Sequence, residues 1–189
     1  MGRERLQKVV SRRDGIQITD YENRDDFVSN VSYVTDVSVL SKADIVLVTL
    51  KCTAMDEAAE VLAEHCKSDA LIVCLQNGVG AEQAVTSSVK QAKVVCGIVP
   101  FNVVQGENAH FHRATEGALH LPEIPELESI QHACEAYGLG CTLETDMPAI
   151  TWGKLLLNLN NAINALSDLP LKEELSIRGY RLVLARCQE

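Results

Sequence analysis

No apolar stretch in these 189 residues approaches the roughly 18 that a membrane-spanning helix needs, so membrane contact is not expected. Positive charge is also scarce. Against 26 Asp and Glu there are 17 Lys and Arg, for a net charge of −9. Nucleic acid is therefore an unfavourable partner, because phosphate contact needs clustered cations. The one basic concentration, Arg3, Arg5, Lys8, Arg12 and Arg13, has the spacing of a solvated helix face. The seven cysteines are odd in number and scattered, with no Cys-x-x-Cys pair. That argues against both a zinc framework and a disulfide scaffold. Cys74 and Cys96 lie in apolar strand-like runs and read as small buried hydrophobes. His110 and His112 alternate as strand neighbours do, with no Cys, Asp or Glu to complete a metal set, so no metal is expected. The opening Met1-Gly2-Arg3-Glu4-Arg5 is polar and lacks the apolar core of a signal peptide. Gly2 has no hydroxyl at position six, where Leu6 stands, so myristoylation is not expected. A reducing, cytoplasmic compartment is the expectation. Internal repeats and low-complexity tracts are lacking too.

What remains is an ordinary globular composition, 47% hydrophobic and 23% charged, long enough for one large domain or one and a half small ones. Residues 3–13 have helical spacing, ended by the turn signal Asp14-Gly15. Residues 16–19 alternate like a short strand, and 20–30 read as a polar connection. Short apolar pieces at 31–34 and 37–40 follow. The continuous β-branched run Ile45 to Leu50 is the signature of a strand buried on both faces of a parallel sheet. Residues 54–66 are spaced as a helix. A second continuous run, 70–75, ends at Gln76-Asn77-Gly78-Val79-Gly80, a helix covers 81–90, and a third strand spans 93–99. Strand and helix alternating at this pace predict βαβ units and an open parallel sheet. Beyond 100, residues 110–113 and 117–121 suit an antiparallel pair, 126–137 a helix and 141–143 a strand. Met147-Pro148 opens a further helix, with Pro where a first turn tolerates it. Residues 171–189 are again helical.

The most unusual stretch is Trp152 to Leu166. Wound as one helix, it brings Lys154, Asn158 and Asn161 within about 60° of each other. Leu155, Leu156, Leu159, Ile163 and Leu166 cover much of the rest, so the helix is expected to be largely buried. Four Asn in seven residues are costly in such a place without partners. They are either a site that clamps a small polar molecule, with Lys154 supplying charge or a proton, or amides that cap the helix and bridge to a neighbouring segment. In open α/β sheets ligands collect beyond the carboxyl ends of the strands. Lys51 follows the first buried strand and Asn77 the second, where each is a crevice residue or merely a solvated cap and a turn.

In this order, Leu47-Val48-Thr49-Leu50-Lys51, Gln76-Asn77-Gly78-Val79-Gly80 and Trp152-x-Lys154-Leu155-x-x-Asn158 resemble the ketopantoate reductase (2-dehydropantoate 2-reductase) family over essentially the whole chain. The resemblance implies NADPH-dependent reduction of a 2-keto acid to the 2-hydroxy acid on the way to pantothenate. By position, Lys154 resembles the general acid, and Asn77 the residue touching both nicotinamide ribose and substrate. Asn158 resembles a substrate-orienting amide, with Asn161 the nearest match to a second one. Lys51 resembles a residue lining the cofactor crevice, and Arg3 the basic residue that favours the 2′-phosphate of NADPH. The fold implied is α/β: residues 1–145 an incomplete, NADP-binding, Rossmann-like doubly wound sheet, and 146–189 the start of an all-helical substrate and dimerisation domain. A homodimer is left open.

The match departs from the family in three ways. The strand and Gly-x-Gly-x-x-Gly turn that seat the pyrophosphate on a helix N-terminus have no counterpart. Ala162 stands where a second amide is expected. The chain stops early in the helical bundle. The resemblance thus implies a reductase truncated at both ends, whose first strand would have occupied the centre of the sheet, and whose remaining part holds NADPH weakly. Two alternatives stand beside it: a non-catalytic binding or scaffold protein derived from the fold, and another nicotinamide-dependent 2-hydroxy acid dehydrogenase.

Overall fold

A computed structural model describes all residues, 1–189. Its centre is a three-stranded parallel sheet of β3 (Ile45–Val48), β4 (Leu71–Cys74) and β5 (Lys93–Cys96), with β4 in the middle. Ile45, Leu71 and Lys93 stand abreast at one end, and Val48, Cys74 and Cys96 at the other. The helices α2 (Met55–His65) and α3 (Ala81–Ser88) complete two βαβ units. Side chains of β4 alternate between two cores, as a period of two requires. Ile72 and Cys74 pack with Leu40, Val48, Met55, Leu62 and Val85 beneath the helices. Leu71 and Val73 pack on the opposite face with Leu119, Leu121, Leu127 and Cys141. That second core comes from the parallel pair β8 (Leu119–Pro122) and β9 (Cys141–Glu144), joined through α4 (Glu128–Ala136). A Cβ on Gly97 would stand 2.7 Å from Leu75 and 2.8 Å from Leu121. A larger residue here would have to displace both leucine side chains beside the bridge from Ile98 to His120.

The expected run Ile45 to Leu50 is shorter as a strand and is not buried on both faces. β3 forms the edge of its sheet, and Leu47 is 43% exposed. A cavity of about 540 Å³ runs along it, lined by Met1, Val37, Ile45, Leu47, Val61 and Leu62 among others. The composition of the strand reports how apolar its surroundings are, not whether a neighbour pairs with it.

A second sheet has the order β2-β1-β7-β6. It comprises β1 (Gly15–Asp20) after α1 (Glu4–Arg13), β2 (Asp25–Ser29) inside the stretch expected to be a connection, β6 (Val103–Gln105) and β7 (His110–Arg113). The predicted antiparallel pairing of 110–113 with 117–121 does not form. Instead β7 lies parallel to β1 and antiparallel to β6, while β8 pairs with β9. Thr19 explains part of that choice. Its hydroxyl lies 2.7 Å from His110 Nε2 and 2.8 Å from His112 Nδ1, and Arg113 reaches Asp20 at 3.1 Å.

From Met147 on the chain is helical: α5 (Met147–Asn158), α6 (Asn160–Ser167), α7 (Leu171–Ser176) and α8 (Arg178–Gln188). Asp146 caps α5 by accepting from the Ala149 amide at 3.1 Å, with Pro148 in the first turn. The single buried helix expected here is neither single nor buried. The ladder breaks at Leu159, and only Met147, Thr151 and Ile163 are buried. Leu157 is 74% and Leu166 88% exposed. No helix is long and apolar enough to cross a membrane.

Candidate functional site

The carboxyl ends of β3, β4 and β5 lie at one edge of the sheet, and Lys51, Asn77 and the Lys154 hydrogen bond each fall beyond one of those ends. Lys51 follows β3 and precedes the short turn 52–54, with its side chain exposed and unpaired. Asn77 follows β4. Its side-chain amide is exposed, and its main-chain oxygen accepts from the Cys52 thiol at 3.5 Å. Gly78 and Gly80 then take φ of 95° and 84°, which the left-handed region allows cheaply only to glycine. Lys154 comes from the other part of the chain. Its half-buried ammonium donates to the Val99 oxygen just beyond β5, at 2.5 Å. Burial holds its pKa below the ordinary lysine value, since desolvation disfavours the charged form.

Asn158 sits half-buried at the end of α5, one turn beyond Lys154, with its amide free of side-chain hydrogen bonds. Asn161 is exposed on α6, just past Leu159, whose own backbone stays in the right-handed helical region. Arg3 is exposed in front of α1 and makes no capping bond. It lies two residues beyond Met1, which lines the groove along β3.

Two features were not assigned roles in advance. Gln76 is buried, and its amide nitrogen donates to the oxygens of Val48 at 2.9 Å and Leu50 at 3.1 Å. Both partners are acceptors, so the amide orientation is fixed and Gln76 Oε1 is the atom left without a partner. The side chain extends the β3–β4 ladder past Val48, which also accepts from the Leu75 amide, and so holds Lys51 and Asn77 on a common floor. A polar residue directly after a continuously buried strand was the signal for it. The second feature is Glu174 on α7, fully buried. It accepts from the side-chain amides of Asn160 at 3.3 Å and Asn164 at 2.7 Å. Two of the four clustered Asn therefore bridge to a neighbouring segment, and Asn158 and Asn161 do not.

The residues present fit one half of a nicotinamide dinucleotide. The free Asn77 amide and the desolvated Lys154 ammonium suit a ribose and a reacting carbonyl. The pyrophosphate has no comparable seat: the first turns of α1, α2 and α3 carry Glu4, Asp56 with Glu57, and Glu82, whose charge opposes phosphate at a helix N-terminus. No group of three or more His, Cys, Asp or Glu is placed to hold a metal.

Parallel βαβ units, with a run of helices from Met147 on that brings Lys154 to the Val99 oxygen beyond β5, define the class: a Rossmann-like α/β fold followed by the start of a helical domain. The comparisons name the family. The ketopantoate reductase PanE/ApbA profile matches residues 1–126, and the chain belongs to that family. It is 24% identical over 171 residues to a 2-dehydropantoate 2-reductase of Nostoc sp., covering 82% of this chain and 53% of the relative. It is 28% identical over 171 residues to one of Halobacterium salinarum, covering 87% and 55%. This chain thus spans about half the length of the curated relatives it matches. Among solved structures it resembles a PanE/ApbA family ketopantoate reductase from Ralstonia eutropha, with TM-score 0.86 and 22% identity over 98% of this chain and 61% of that one. A D-mandelate dehydrogenase in complex with NADH shares the fold, with TM-score 0.73 and 14% identity over 97% of this chain and 59% of that one.

Proposed function

We propose that this chain carries the reacting edge of an NADPH-dependent reductase that converts 2-dehydropantoate, or a similar small 2-keto acid, to the 2-hydroxy acid in the pantothenate pathway. The observation that carries the reading is the placement of Lys154: a desolvated ammonium brought from the helical part of the chain to the strand edge where Asn77 and Lys51 end β4 and β3. We divide the chain into a nucleotide-binding part, 1–145, and the start of a substrate and dimerisation part, 146–189. The exposed Leu157, Leu166 and Leu182 support burial of the latter in a homodimer. The setting proposed is cytoplasmic.

The bound cofactor supplies a hydride. Reduction of a ketone builds negative charge on its oxygen, and Lys154 Nζ stabilises that charge and donates the proton. A lowered pKa makes the ammonium a better acid near neutrality, while the anionic keto acid pulls it back up. Asn77 hydrogen-bonds ribose and substrate, and Asn158 orients the substrate without adding charge. Asn161 is the nearest amide for a second such contact, since Ala162 stands at the position where the family carries one. Lys51 lines the cofactor side of the crevice, and Arg3 favours the 2′-phosphate.

In the whole protein, ketopantoate-dependent consumption of NADPH is the assay. Lys154→Ala lowers kcat by roughly 10²–10⁴-fold, the usual worth of a positioned general acid, with little change in NADPH affinity. Wild-type turnover in that variant removes Lys154 from the mechanism. The acidic first turns favour a second reading for these 189 residues taken alone, a non-catalytic binding protein that holds NADPH weakly. Nucleotide fluorescence titration separates the two, and micromolar NADPH binding eliminates the second.

A further inference from the structure

We propose that the cavity between the starts of α3 and α5 binds a small organic cation, a primary alkylammonium or a guanidinium group. The cavity holds about 350 Å³ and is lined by Val79, Glu82, Gln83, Cys96, Thr151 and Trp152, with Gly80 and Pro148 at its margin. Its one charged group is Glu82, beside the Gln83 amide, which offers both a donor and an acceptor. Glu82 is half-buried, and its carboxylate takes part in no ion pair or hydrogen bond. The Thr151 hydroxyl donates to the Met147 oxygen at 2.8 Å and stands against the Cys96 thiol. Beside them stands the indole of Trp152, 56% exposed, whose face attracts cations.

Two further points separate this cavity from the keto acid crevice. Lys154 lies one turn along α5, but its ammonium is turned to the Val99 oxygen and does not line the cavity. The Glu82 charge is also felt below. After burial itself, it is the next influence pushing the thiols of Cys74 and Cys96 up, Cys74 to about 11. A carboxylate whose field penetrates that far, with no cation beside it, repels a 2-keto acid and attracts an ammonium. The N-terminus of α3 accounts for a carboxylate in its first turn. It does not account for an aromatic wall and a space large enough for a side-chain-sized ligand opposite that carboxylate.

Trp152 is the only tryptophan in the chain, so its fluorescence reports this cavity alone. The 189-residue chain is titrated with n-butylammonium chloride, n-butanol and sodium butyrate at constant ionic strength. The expected result is a saturable change with butylammonium at a Kd on the order of a millimolar, given so few ligand atoms, and none with the other two. Glu82→Gln weakens the response at least ten-fold. Glu82→Asp, which keeps the charge and withdraws it by one methylene, weakens it less. Equal saturation by butanol, an unchanged Kd in Glu82→Gln, or no saturation by butylammonium at about a hundred times the expected Kd overturns the proposal.

Discussion

Replacing Glu174 by Gln should stabilise this protein, an unusual expectation for a fully buried residue. Glu174 accepts both its hydrogen bonds on Oε2, from Asn160 and Asn164. Its Oε1 and the Oδ1 of Asn160 are both buried without a donor, although the two side chains already touch. Glu174→Gln keeps the shape and the accepting oxygen, and turns the orphaned oxygen into an N–H that the orphaned Asn160 oxygen can accept. An unpaired buried acceptor costs about 1–3 kcal/mol, and two are relieved. Against this, two charge-assisted bonds become neutral ones, at a loss of roughly 1 kcal/mol each. The net gain is about 2 kcal/mol, which raises the Tm of a chain this size by about 4–8 °C. Glu174→Ala instead strands the Asn160 amide, while Asn164 keeps the Leu169 oxygen at 3.0 Å. It should cost about 2–4 kcal/mol. Thermal unfolding followed by far-UV circular dichroism, with urea midpoints alongside, measures both variants. If Glu174→Gln is destabilised as much as Glu174→Ala, a buried donor is already satisfying Oε1, and the reasoning fails.

Gln76→Ala removes one buried and one part-buried hydrogen bond but also the unpartnered Gln76 Oε1, so the net cost is about 1–2 kcal/mol. The Leu75 amide, which bonds Val48 beside it, should exchange its proton faster, and an unchanged urea midpoint would refute the clamp. The Lys154 prediction concerns alkaline pH. Its folded pKa lies below the ordinary lysine value because of burial, so the native state gives up this proton before the unfolded chain does. Stability therefore rises with pH between the lowered value and the ordinary one near 10.5. Lys154→Met should flatten that rise in urea titrations at stepped pH, and an identical slope would contradict the burial argument. Asn77→Ala should weaken both keto acid and NADPH, and unchanged dissociation constants would reduce Asn77-Gly78 to a turn.

The central sheet was legible because buried parallel strands need continuous apolar runs, and 45–50, 70–75 and 93–99 supply them. The same logic misplaced β3. An apolar run marks a strand, but which of its faces and edges are covered is decided by residues far away in sequence, and Leu47 stays 43% exposed. β7 shows the same limit: His110 to Arg113 alternates clearly as a strand, yet its partner was set by Thr19 and Asp20, some ninety residues earlier. For the proposed site, Lys154 and Asn77 were singled out by residue type on a helix and after a strand end. Asn161 lies beyond Leu159, where the helix is divided into α5 and α6 although the Leu159 backbone stays helical. Asn160 and Asn164 turn to Glu174, ten or more residues on. No local period reveals such a partner.

The account rests on Lys154 and Asn77 acting on one bound keto acid. A double-mutant cycle tests it directly: calorimetric titration of ketopantoate into the wild-type chain, Asn77→Ala, Lys154→Ala and the double variant. Groups that converge on one ligand give a coupling of about 1 kcal/mol or more, whereas losses that add within roughly 0.3–0.5 kcal/mol would place the two side chains at separate sites and contradict the account.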